Sequence, residues 1–144
     1  MNLVAGQSPA LKIGNTLLVA DLHLGIETEF AVKGVTLESS HLPYAEAINS
    51  IMDRTGTKNL VVLGDLKHHA LNVDKQQQII GGFLDALECK RLILCKGNND
   101  EGILSFEGIK MVEEQGFVLD AEKRKYGLFH GHTLPSRDLY EAHY

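Results

Sequence analysis

Cysteine is almost missing from this sequence. Cys89 and Cys95 are the only two thiols in 144 residues, with neither the CxxC spacing of a zinc site nor the density of a secreted disulfide scaffold. Both are expected to fill core. Long apolar runs are missing too: no stretch approaches the roughly 18 residues needed to span a bilayer, and Met1-Asn2-Leu3-Val4 lacks the basic segment and apolar run of a secretion signal. A cytoplasmic protein without a membrane partner is expected. Positive charge is in deficit, with a net charge of -5, which argues against broad electrostatic attraction to nucleic acid. Internal repeats, low-complexity segments and Pro/Gly/Ser-rich linkers are absent as well, so residues 1–144 read as one domain. What is present is ordinary: 44% hydrophobic and 23% charged residues, in a chain long enough to bury roughly two thirds of its unfolded surface.

Periodicity organises the chain. Leu11–Ile13 and Thr16–Ala20 are β-prone runs around Gly14-Asn15, a pair suited to a tight turn. Pro43 suits the first turn of a helix whose Ala45, Ile48, Ile51 and Met52 share one face until Thr55-Gly56 ends it. Leu60–Leu63 is a continuous apolar run, as expected for a strand buried on both faces. Asp74 is placed as the N-cap of a second helix carrying the stripe Ile79, Ile80, Phe83, Leu84 and Leu87. Arg91–Cys95 reads as another strand. Phe117–Leu119 and Gly127–Phe129 read as strands around the polar stretch Asp120–Lys125. Strand and helix alternate, which predicts an α/β sheet with crossover helices and a site at the carboxyl ends of its strands.

Four polar clusters stand where those strands stop: Asp21-Leu22-His23, Gly64-Asp65, Gly97-Asn98-Asn99-Asp100 and His130-Gly131-His132. On an extended segment, Asp21 and His23 would project to the same side, where a carboxylate and an imidazole can share a metal. Glycine before Asp65 and before Asn98 lets the backbone turn and approach a bound ion or phosphate. Each cluster is weak alone; their joint order is far more specific.

In that order, D-x-H, GD, GN-x-D and H-G-H, the clusters resemble the signature of the calcineurin-like metallophosphoesterase superfamily. Ala20-Asp21-Leu22-His23-Leu24-Gly25 and Gly64-Asp65-Leu66-Lys67-His68 are most similar to its prokaryotic branch related to the nuclease subunits Mre11 and SbcD. The resemblance implies an α/β fold of β-sandwich type flanked by helices. It also implies two divalent metal ions, manganese first, with iron, zinc or nickel also suited to mixed carboxylate, imidazole and amide ligands. Carried over by position, Asp21 and His23 hold one ion, Asp65 bridges, and Asn98 and His130 hold the other. Such ions make a site locally positive whatever the net charge, so a phosphodiester substrate, nucleic acid or nucleotide among them, stays open. The implied reaction is attack on phosphorus by a metal-activated water, with Asp65, Asn98 and His132 assigned to it and with His68 and Asn99 beside the ligands.

Two departures qualify that reading. The family usually carries a proton-donating His where this chain has Asn99, and an amide cannot supply a proton at neutral pH. A later G-H-x-H motif is also missing before Tyr144, so the resemblance implies a member shortened at its C-terminal end. An exposed sheet would then remain for a homo-oligomer to cover, and His132 or His143 could replace a ligand. The chain is then a piece of a longer enzyme, a short enzyme, or a metal-binding or interaction module without catalysis. Elsewhere the expectations are plain. Lys67 is placed at the surface, Lys123-Arg124-Lys125 in a solvated turn and His41 at a helix entry, and nothing brings Glu27, Glu29 and Glu38 together.

Overall fold

The computed structural model describes residues 2–3, 9–69 and 71–142. Its elements are, in chain order, β1 (Asn2–Leu3), β2 (Leu11–Ile13), β3 (Thr16–Val19), α1 (Glu27–Val32), α2 (His41–Thr55), β4 (Asn59–Leu63), α3 (Val73–Ala86), β5 (Arg91–Cys95), β6 (Ile109–Val112), β7 (Phe117–Ala121) and β8 (Arg124–Leu128). Short 3-10 turns at Asn98–Asp100 and Arg137–Glu141 complete it.

Strands β1 to β6 form one sheet in sequence order. The first two pairings are antiparallel, and β3, β4, β5 and β6 run parallel. The β2–β3 hairpin turns at Gly14-Asn15 and sets Leu11 opposite Leu18. Because side chains alternate across a strand, each central strand feeds two layers. Leu17, Val19, Leu60, Val62, Leu92 and Leu94 face α2 and α3, packing with Ala45, Ile48, Met52, Ile79, Ile80 and Phe83. Leu18 and Val61 face the other way, against Tyr126 and Leu128 of the separate β7–β8 sheet. Full burial of a side chain such as Phe83 or Leu17 contributes about 1.5–3 kcal/mol.

Several local expectations are corrected. Helix α3 is capped by Asn72, not Asp74: Asn72 has the extended backbone a cap requires, and its side chain accepts from the Lys75 N–H. Asp74 lies inside the first turn. The β7–β8 turn is tighter than the polar stretch suggested, because Glu122 and Lys123 both adopt positive φ and close a two-residue connection that follows the strand twist. Strand β6 and helix α1 were not foreseen. Ile109–Val112 is a short edge strand with no dense apolar run, and α1 has only six residues. Cys95 is buried and Cys89 packs against the core, and burial pushes both thiols up from their ordinary values. Among the described residues, no helix is long and apolar enough to cross a membrane.

Candidate metal centre

The polar clusters emerge from strand ends. Asp21 follows β3, Asp65 follows β4, Asn98 follows β5 and His130 follows β8. The first two segments are laced together: Asp21 N–H donates to Gly64 O at 3.1 Å, His23 N–H to Asp65 O at 2.9 Å, and Leu24 N–H to Leu66 O at 2.8 Å. Within this lacing Asp21, His23 and Asp65 all hold positive φ, at 54°, 45° and 53°. A non-glycine residue kept there stores on the order of 1–3 kcal/mol and persists only where surrounding structure dictates it. Strand alternation therefore does not place Asp21 beside His23, as the sequence suggested. The extended backbone ends at Val19, and left-handed turns aim the side chains instead.

Two glycines allow the segments to close. A Cβ on Gly64 would stand 2.1 Å from His130 Nδ1, and one on Gly97 would stand 2.3 Å from Asp65 Oδ1. Their hydrogens are what let the strand ends converge. As a result, one potential ligand atom from each of Asp21, Asp65 and His130 lies within 4.8 Å of the others. His23 Nε2 stands 3.6 Å from Asp65 Oδ2, and His130 Nε2 stands 3.7 Å from Asp65 Oδ1. Nδ1 of His130 lies 2.8 Å from the Leu63 carbonyl. A carbonyl can only accept, so Nδ1 donates there, and Nε2 is the ring nitrogen that stands toward Asp65. Asp21 is exposed, which leaves the cluster open to solvent.

Asp65 is buried, and burial alone would push its carboxyl up. Two hydrogen bonds from Asn99 and the nearby His130 and His23 outweigh that, and the net shift is downward. The bonds run from Asn99 N–H to Oδ1 at 2.9 Å and from Asn99 Nδ2 to Oδ2 at 2.6 Å. Asn98 instead is exposed on the wall of an adjoining cleft of about 530 Å³, shared with Lys96, Glu101, Glu113 and His132. His132 is held there by Glu114, 3.0 Å away, with its ring centroid 5.1 Å from that of His130. His143 lies outside the described residues.

The fold is similar to that of a solved nuclease. Nuclease MPE of Pseudomonas putida aligns with a TM-score of 0.51 and 21% identity over 74% of this chain and 50% of the nuclease. The chain thus spans about half the length of that protein, and the likeness is one of fold. A protein of unknown function from Aquifex aeolicus aligns with a TM-score of 0.49 and 17% identity, over 78% of this chain and 57% of its own. No family model and no curated protein matches the sequence.

Behind the cluster, the fold buries a residue expected at the surface. Lys67 is 2% exposed. Its ammonium donates to the Asn99 carbonyl, and its backbone N–H donates to Asp100 Oδ1 at 3.1 Å. Asp100, 1% exposed, also accepts from Gly97 N–H at 2.9 Å. Burial lowers the Lys67 pKa, with Asp100, Asp65 and Glu101 pulling it back up, and burial raises Asp100 against the hydrogen bonds from Gly97 and Lys67. A loop ammonium is expected to reach water; here the parallel bridge between Leu24 and Lys67 turns the segment inward against the Asn98–Asp100 turn. The D of GN-x-D was visible in the sequence, but its work as the clamp of that turn was not.

His68 is also buried, and its Nε2 lies 2.7 Å from Glu29 Oε2 on α1. Its ring stands edge-on to His23 at a centroid distance of 6.1 Å. Hydrogen bonds from Lys33 and then His68 hold the Glu29 carboxyl down at about 2. Glu29 escaped sequence reasoning because 39 residues separate it from His68, and no local pattern links an acidic helix residue to that loop.

Proposed function

We propose that this chain is a metal-dependent phosphoesterase that cleaves phosphodiesters, with nucleic acid or nucleotides as the substrate class. The observation that carries this reading is the convergence of Asp21, Asp65 and His130 within 4.8 Å, on strand-end segments that hold three non-glycine residues in left-handed backbone. Strain gathered at one polar cluster marks a place built for a task other than stability. The fold shared with a nuclease is consistent with it.

The donor set fits divalent cations. Asp65 is ionised and oriented, His23 and His130 present Nε2 toward it, and His23 Nδ1 is buried without a hydrogen-bond partner. Asp21, His23, Asp65 and His130 would hold the ions, with Asn98 reaching in from the cleft; manganese suits this mixture, as do iron, zinc and nickel. When bound, such ions polarise a phosphoryl oxygen and make water a nucleophile near neutral pH.

The chain's own groups do the rest. Asp65 supplies a permanent negative charge between the two imidazoles. Asn99 fixes the rotamer of Asp65, and Lys67 fixes Asn99 through its carbonyl. Asn98 and His132 line the cleft in which the rest of a substrate would lie. Asn99 has no proton to give a leaving group, so esters with good leaving groups are the better substrates.

The test is hydrolysis of a nitrophenyl phosphodiester with manganese, wild type against Asp65→Asn. Loss of turnover in the variant well beyond the ~10- to 100-fold typical of a merely supporting partner is expected. Absence of turnover in wild type at every divalent metal tried would overturn the proposal.

A further inference from the structure

The Glu29, His68 and His69 side chains form a second convergence of ligand groups, apart from the cluster around Asp65. One ligand atom from each of the three lies within 4.8 Å of the others. The groups come from two elements: Glu29 from α1, and the two histidines from the loop after β4. We propose that this is a separate binding site for a single borderline-soft divalent cation of the zinc, cobalt or nickel class, held by three protein groups with a further position open to water.

Four observations carry the proposal. Two imidazoles and one carboxylate are the donor set that suits this class, and three protein ligands leave a coordination position free. The rings of His68 and His69 are tilted by 52° with centroids 4.4 Å apart, close enough to serve one ion together with Glu29. Glu29 is divided between two tasks: Lys33 holds Oε1, while Oε2 faces His68. A carboxylate steadied on one oxygen offers the other as a single-point ligand. Finally, His68 has a side chain only 8% exposed, yet its Nδ1 is buried with no hydrogen-bond partner. A hydrogen bond between Glu29 and His68 accounts for Nε2 alone; it leaves Nδ1 without a partner and gives no reason for the His69 ring to stand beside it.

The site borders the first cluster through the His23 and His68 rings but uses none of its proposed ligands. A cation there would add positive charge beside the place where a phosphodiester would bind. The inference stands apart from the phosphoesterase reading, and its test is chosen accordingly.

Metal-stripped protein is titrated with cobalt(II) and with zinc, and bound metal is counted per chain by elemental analysis in wild type, His69→Ala, Glu29→Gln and Asp65→Asn. His69 is exposed, so its replacement should leave the fold intact, and circular dichroism checks this. The expected result is that His69→Ala and Glu29→Gln each lose about one equivalent of metal, together with the visible cobalt band of a low-coordinate nitrogen and oxygen site. Asp65→Asn should keep that equivalent and that band. Unchanged uptake and spectrum in His69→Ala would overturn the site, as would loss of all metal in Asp65→Asn. A failure of the first kind leaves the Asp65-dependent metal, and with it the phosphoesterase reading, untouched.

Discussion

Asn99 occupies both carboxylate oxygens of Asp65, its backbone N–H on Oδ1 and its side-chain amide on Oδ2. One residue thus fixes both the position and the ionisation of the most buried acid in the cluster. Burial raises the Asp65 pKa, but these bonds and the two imidazoles bring it below the ordinary value. A depressed carboxyl contributes stability that is fully present above the unfolded pKa of about 3.9 and is lost as pH falls through the lower folded value.

Asn99→Ala removes the side-chain bond and keeps the backbone one. Asp65 should then titrate closer to its unfolded value, and metal-free protein should unfold at a higher pH during acid titration than wild type does. Acid-unfolding curves followed by circular dichroism check this. Superimposable curves would mean that the amide does not stabilise the ionised carboxylate.

Gly64→Ala tests the close approach of strand ends. The new Cβ would meet His130 Nδ1 at 2.1 Å on a backbone with φ of +77°, so His130 must leave the Leu63 carbonyl or the turn must open. A loss of roughly 1–3 kcal/mol is expected from the strained conformation alone, read as a lower denaturant midpoint, with metal affinity falling at the same time. Wild-type stability and affinity together would show that the segment relaxes without disturbing the cluster.

Lys67→Met keeps most of the buried volume and removes the ammonium. The half-buried Asn99 carbonyl then loses its donor, at a cost of about 0.5–1.5 kcal/mol for the lost hydrogen bond, and the turn that carries Asn98 and Asn99 loosens. The variant should be less stable to urea and should bind metal more weakly than wild type. Equal stability would mean that desolvating the ammonium costs as much as its contacts return.

Much of the scaffold was legible in the sequence because it follows local rules. The apolar run Leu60–Leu63, the stripe Ala45, Ile48, Ile51 and Met52, and the turn pair Gly14-Asn15 each predicted the element that forms, since strand and helix periods decide which side chains share a face. The same reading placed Asp21, Asp65, Asn98 and His130 just beyond strand ends. Residues with weaker local signals were read less well. Ile109–Val112 lacks a dense run and forms a strand only by pairing with β5, and Asn72 took the capping role from Asp74 through its backbone conformation.

The sequence by itself therefore determined the longer elements, their order and the chemical groups at their ends. Only the tertiary structure decided which groups meet: that Asn99 binds Asp65 while Asn98 faces the cleft, that Lys67 is buried on the Asn99 carbonyl, and that Glu29 reaches His68 across 39 positions of sequence. The physical reason is range. Periodicity and turn preference act over a few residues, whereas these meetings depend on sheet register, on left-handed backbone at Asp21, His23 and Asp65, and on the two glycines whose missing Cβ atoms let the strand ends close.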